Sequence, residues 1–170
     1  SALEWDPASS RLFVGGVFRN AGGVLTRNVA AWDGIEWSAL GVGTDDRVRA
    51  LAWNESDGVL FAGGKFSEAG GHQANHVASW DGGAWSSLGA GLDRDDGNNA
   101  DVYALVWADE GSKLYVGGWF MTAGTRPASN IAIWNGGDWR PAGSGTNGEI
   151  YGLVWDSDVV VRRGADRCTE

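Results

Sequence analysis

Residues 12–23 read LFVGGVFRNAGG, and the pattern returns as LFAGGKFSEAGG at 60–71 and as LYVGGWFMTAGT at 114–125. Downstream, the three copies run into NVAAWDGIEWSALGVG, HVASWDGGAWSSLGAG and NIAIWNGGDWRPAGSG. Upstream lie ALEW, ALAW and ALVW, and GLVW opens a fourth copy. The leucines of these last pieces, Leu3, Leu51, Leu105 and Leu153, are spaced by 48, 54 and 48 residues. Ten of the 11 tryptophans fall on three repeat columns, and only Trp119 lies outside them. Such a period marks an architecture in which each unit buries its apolar faces against its neighbours. The units run 3–47, 48–101 and 102–149, followed by an incomplete fourth at 150–170.

Each unit reads as four short strands, and no segment carries a helical hydrophobic period, so the expected fold is all-β. In the first strand, Val48, Ala50 and Ala52 alternate with Arg49, Leu51 and Trp53. A strict period of two then puts small side chains on one face and large ones on the other. The second strand ends in Gly-Gly, which in a strand signals a bulge or the close approach of another group. The third runs into Asp-Gly or Asn-Gly, a strong hairpin signal, and the fourth begins at the next Trp. Pro141 in a fourth strand places that strand at a sheet edge. In the fourth copy, VVVRRG stands where LYVGG is expected, so Arg162 and Arg163 replace the glycine pair. Two readings stay open there: a truncated or frameshifted end, and a charged terminal cap.

Four antiparallel strands per unit with a period near 50 residues describe a propeller blade, so the expected architecture is a partial β-propeller of three blades and the start of a fourth. The pattern LYVGGxF, AGG, NIAxWDG, W, LGxG resembles the kelch-type repeat over about residues 1–161. It is similar to repeats of large secreted bacterial proteins and of fungal cortical polarity markers. The resemblance implies a location outside the cell or on its surface, and partners bound on the face that carries the loops after strands two and four. Closed propellers use about 4 to 8 blades, so further blades of the same protein are expected to complete the ring.

Composition narrows the partners. Thirteen basic against 22 acidic side chains give a net charge of −9, which repels nucleic acid and anionic membrane surfaces. No apolar stretch approaches the roughly 20 residues of a membrane helix. The single cysteine, Cys168, allows no intrachain disulfide. No nucleophile elbow, Walker A loop, HExxH or CxxC occurs, so no catalytic group and no cofactor are expected.

Repeat comparison separates scaffold from site, because a residue type present in every copy serves the blade and one unique to a copy is free to serve a ligand. The tryptophan columns therefore read as structural. The loops after strands two and four vary most, and they supply the candidate ligand contacts Arg19, Arg27, His72, Gln73, His76, Arg126, Asn98 and Asn99. The connection LDRDDGNNAD at 92–101 gathers Asp93, Asp95, Asp96 and Asp101, oxygen ligands that suit Ca²⁺. Gly97 breaks the EF-hand spacing there, which leaves a solvated loop as the other reading. His72 and His76 share one loop without a third metal ligand in sequence. The expected function is noncatalytic recognition of protein or carbohydrate. The alternative is the propeller part of a secreted enzyme whose catalytic residues lie in other blades.

Overall fold

The computed structural model describes residues 1–94, 96 and 99–156, and the backbone alone of 159–164. The described residues form strands and turns with no helix. In chain order, β1 (Ala2–Asp6) and β2 (Arg11–Gly15) lead to a ribbon of β3 (Asn20–Ala21) and β4 (Val24–Leu25), then to β5 (Val29–Trp32) and β6 (Trp37–Ala39). The second unit repeats this as β7 (Val48–Asn54), β8 (Val59–Gly64), ribbon β9 (Glu68–Ala69) and β10 (His72–Gln73), β11 (Val77–Trp80) and β12 (Trp85–Ser87). After β13 (Leu92–Asp93) come β14 (Asp101–Ala108), β15 (Lys113–Trp119), ribbon β16 (Thr122–Ala123) and β17 (Arg126–Pro127), β18 (Ile131–Trp134) and β19 (Trp139–Pro141). A hairpin of β20 (Ile150–Asp156) and β21 (Val159–Gly164) follows.

Three open, four-stranded antiparallel sheets result, ordered β1-β2-β5-β6, β7-β8-β11-β12 and β14-β15-β18-β19. The fourth strand lies at an edge each time, and Pro141 sits there, where a missing N–H breaks no ladder bond. The first strands of successive sheets touch one another, β1 against β7, β7 against β14 and β14 against β20. The turn between the third and fourth strands is an Asx turn. Asp33 Oδ1 accepts from the N–H of Ile35 and Glu36 at 2.9 Å, and Asp81 and Asn135 repeat the device. The following glycines, Gly34, Gly82 and Gly136, take φ of 94–98°, a region in which a side chain is strained.

The core lies between sheets. One cluster joins Phe13 and Val29 of the first sheet to Val48, Leu51 and Leu60 of the second. Another joins Phe61 and Leu88 to Val102, Leu105 and Leu114. The glycine of strand two makes this contact possible. A methyl group on Gly15 would lie 2.5 Å from Val48 Cγ1, and one on Gly117 would lie 2.6 Å from Ile150 Cγ2. Aromatic rings continue the seam: Phe13 meets Trp53 at 5.3 Å, Phe61 stacks on Trp107 at 5.2 Å, and Tyr115 stacks on Trp155 at 5.5 Å.

Three expectations need correction. The simple alternation in the first strand fails, because a bulge breaks the register between Val48 and Ala50 and again between Val102 and Ala104. The extra residue turns Val48 onto the same face as Leu51, and both press on Gly15 of the preceding sheet. Arg49 and Tyr103 are the bulged residues. The segments after strand two are not irregular loops but short ribbons with a repeated backbone pattern: Thr26, Ala74 and Ala128 donate to the carbonyls of Arg19, Ser67 and Met121. In the fourth hairpin, the register opposes Arg163 to Gly152 and Gly164 to Ile150, as Gly117 opposes Ala104 and Gly118 opposes Val102. One arginine, not two, thus stands in place of the glycine pair.

The tryptophan columns are not equally buried. Trp85 and Trp139, which open fourth strands, are 7% and 4% exposed, and their indole Nε1–H groups donate to the carbonyls of Leu40 and Leu88 at 2.7 and 2.8 Å. The first-strand column is only partly covered, and Trp5 is 50% exposed. Trp139→Ala is therefore expected to cost about 3–5 kcal/mol in urea unfolding, and Trp119→Ala, off the columns, less than half of that. Gly117→Ala is expected to cost about 1–3 kcal/mol by overpacking, while Gly83→Ala, whose new methyl would meet only Asp81 Oδ1 at 3.6 Å, leaves the urea midpoint unchanged.

Candidate functional site

Antiparallel alternation gathers the starts of the first strands, the ends of the second strands, the ribbons and the connectors between sheets at one end of the molecule. The backbone there repeats while the side chains do not. Val17, Lys65 and Trp119 are equivalent positions, as are Arg19, Ser67 and Met121, and Arg27, Asn75 and Ser129. Variable side chains on a rigid repeated frame are the usual composition of a binding surface.

Two clefts occupy equivalent places on this face. The first, about 520 Å³, is lined by Val17, Arg19, Leu25 and Arg27, with Asp45 and Asp46 on its rim. Neither arginine enters an ion pair among the described residues. The rim carboxylates are engaged elsewhere. Asp45 accepts from the N–H and hydroxyl of Ser67 at 2.9 and 2.7 Å and from the N–H of Glu68 at 2.9 Å, and Asp46 accepts from the N–H of Arg47 at 2.7 Å. Burial works against the charge on Asp45, but the Ser67 hydroxyl and the two backbone donors outweigh it and hold the carboxyl below its usual value.

The second cleft, about 450 Å³, is lined by Arg94, Trp119, Met121, Asn147, Glu149 and Tyr151. The Arg94 guanidinium lies 3.8 Å from the Trp119 ring centroid, and Asp96 holds it, with Oδ1 accepting from Nε at 3.1 Å. Held by its carboxylate partner, the planar cation braces the tryptophan. Beside it the bulged first-strand residues stack: Tyr103 and Tyr151 are 4.9 Å apart and 15° from parallel, and Arg49 covers Tyr103 at 5.2 Å. Arg49 Nε donates to both oxygens of Asp101 at 2.9 Å. Burial and the charges of Asp101 and Glu149 push the Tyr103 hydroxyl up to about 12. It stays a neutral donor and acceptor throughout the physiological range.

The structure brings Arg19 and Arg27 to one cleft. It leaves Arg126 exposed in a groove of about 180 Å³ beside Trp134 and Asp138. His72 and Gln73 are exposed on β10, Gln73 bonds Asn75 at 3.3 Å, and Asn99 is exposed. Asp95 and Asn98 lie outside the described residues. Of the remaining Asp-rich connection, Asp96 holds Arg94, Asp101 holds Arg49, and Asp93 caps the N–H of Arg94 at 2.7 Å. Among the described residues, no three His, Cys, Asp or Glu side chains meet as a metal site. Sequence reading missed Arg49, Arg94, Trp119 and the Tyr103–Tyr151 stack. Arg49 and Trp119 differ from their counterparts in the other units, and Tyr103 and Tyr151 recur in one column, but their convergence in space is not visible in the sequence.

Comparison with known proteins finds no matching family model and no matching curated protein.

His76 proves to be a keystone instead of a loop contact. Asn28 and Asn130 occupy the equivalent positions, and all three residues adopt positive φ, 70, 68 and 64° in chain order. Each asparagine accepts from the N–H of the Phe that follows strand two, Phe18 or Phe120, and donates to a connector carbonyl at 3.0 Å. His76 is 7% exposed, and its buried Nδ1 has no partner among the described residues. Burial holds its imidazole below the usual 6.5 against the pull of Asp101 and Asp93. The unfolded chain therefore binds the proton first. Stability is complete above pH 6.5 and falls as the pH drops from there through the lower folded value. His76→Asn is expected to raise stability by about 1–2 kcal/mol, since asparagine tolerates this φ and restores two hydrogen bonds. Urea titrations at pH 7.5 and 5.5 check both claims: the variant's advantage should widen at the lower pH.

Proposed function

We propose that the chain is a segment of a kelch-like β-propeller that recognises protein or carbohydrate outside the cell without catalysing a reaction. The carrying observation is the partition of side chains. Side chains at shared positions, such as Val48 with Val102 and Leu51 with Leu105, pack between sheets, whereas Val17, Arg19, Arg27, Trp119 and Met121, at positions whose side chain differs from unit to unit, line two equivalent clefts on one face. Side-by-side first strands, fourth strands at the far edges and repeat-related contacts between sheets support the propeller reading. Leu3 and Trp5 are 65% and 50% exposed where Leu51 is 6% exposed, which supports further blades as packing partners.

The clefts differ in chemistry. One offers two arginines beside aliphatic Val17 and Leu25, and the other offers a braced tryptophan with tyrosine and acidic neighbours. A fixed aromatic face suits the apolar face of a sugar or a peptide side chain at little cost in conformational entropy. Labelled chain on glycan and cell-surface protein arrays tests the proposal. Trp119→Ala, or the pair Arg19→Ala and Arg27→Ala, should lower binding about tenfold or more while leaving the urea midpoint within about 1 kcal/mol of wild type. Absence of binding to either array, or binding that neither variant changes, would sink the proposal.

A further inference from the structure

In the second and third units, the ribbon is completed by a segment from the preceding connector. Residues 40–45 read Leu-Gly-Val-Gly-Thr-Asp and residues 88–93 read Leu-Gly-Ala-Gly-Leu-Asp. Thr44 bridges to Ala69 of β9, and Leu92–Asp93 pair with Thr122–Ala123 of β16. The leucine carbonyls, of Leu40 and Leu88, accept from the indoles of Trp85 and Trp139. The second glycine carbonyls, of Gly43 and Gly91, accept from the N–H of Gly70 and Gly124, both at 2.8 Å. The Asp45 carboxylate then caps the N–H groups of Ser67 and Glu68.

The first unit has the same receptor without an occupant among the described residues. Its ribbon pairs β3 with β4 alone. Trp37 and Gly22 stand where Trp85 and Gly70 stand, and neither Trp37 Nε1–H nor Gly22 N–H meets an acceptor among the described residues. Ala21 is half-buried, although its equivalents Ala69 and Ala123 are 2% and 0% exposed. Where the carboxylate of Asp45 meets Ser67, the first unit presents Arg19, a cation that strengthens carboxylate binding.

We propose that this ribbon is a docking site for an extended Leu-Gly-x-Gly-x-Asp segment from outside residues 1–170, added as a strand. The chain's own two such segments are already bound to its second and third ribbons. The third connector, residues 142–147, reads Ala-Gly-Ser-Gly-Thr-Asn and lacks both the leucine and the carboxylate. Main-chain bonds supply the pairing, while the carboxylate and the leucine carbonyl set register. This inference rests on the repeat geometry; it shares Arg19 with the first cleft, so the Trp37 and Gly22 signals, and not the array results, decide it.

The test titrates ¹⁵N-labelled chain with the capped peptide LGVGTDD, the sequence of residues 40–46. The indole signal of Trp37, assigned through Trp37→Phe, and the amide of Gly22 should shift saturably, while those of Trp85 and Trp139 stay in place. A peptide with Asn for its first Asp should bind about tenfold more weakly, and Arg19→Ala should weaken the parent peptide in the same direction. No movement at millimolar peptide, or equal movement with a scrambled peptide, would overturn the proposal. The peptide variants keep the test decisive even if a protein variant fails to fold.

Discussion

Everything in this molecule depends on two sheets coming close enough for a branched side chain of one to fill the place of a missing Cβ in the other. Val48 enters at Gly15, Val102 at Gly63 and Ile150 at Gly117. With any side chain at those glycines the facing strands separate, and the leucines at 51 and 105 lose the surface that buries them. The aromatic stacks and the indole-to-carbonyl bonds join the same pairs of neighbouring units. The second glycine of each pair serves the chain itself: a methyl on Gly118 would collide with the carbonyl oxygen of Asp101 in the same sheet.

That constraint also shapes the variable face. A bulge at Arg49 and Tyr103 is what lets Val48 and Val102 turn toward the glycine slot, and the bulged residue is thereby displaced from the core. Its side chain is released to meet its counterparts on neighbouring sheets, which produces the column of Arg49, Tyr103 and Tyr151. Packing in the core and assembly of the aromatic cleft are two consequences of one register shift.

The ribbons work by the same economy of repetition. Their backbones repeat from unit to unit, held by positive-φ residues and by Asn28 and Asn130. The side chains at 19, 67 and 121 are then free to differ. His76 shows where this freedom ends, since its buried Nδ1 lacks the bonds its asparagine counterparts make.

Much of the local structure could be read directly from the order of residues. The repeat, the four strands, the hairpin turns at Asp33-Gly34, Asp81-Gly82 and Asn135-Gly136, and the edge position of Pro141 follow from side-chain period, glycine conformation and the missing proline N–H. Such rules act within a few residues. The bulge escaped that reading because Arg49 alternates in sequence with its neighbours, and only the demand of Gly15 for Val48 breaks the alternation. The pairing of Arg49 with Asp101 spans 52 positions, and the bracing of Trp119 by Arg94 and the meeting of Arg19 with Arg27 depend equally on how ribbons and connectors lie together. Sequence alone determined which residues form each unit, because those choices are made by local backbone and side-chain sterics. Tertiary structure decided which of the remaining polar and aromatic groups face one another, because that is set by the spacing of whole sheets.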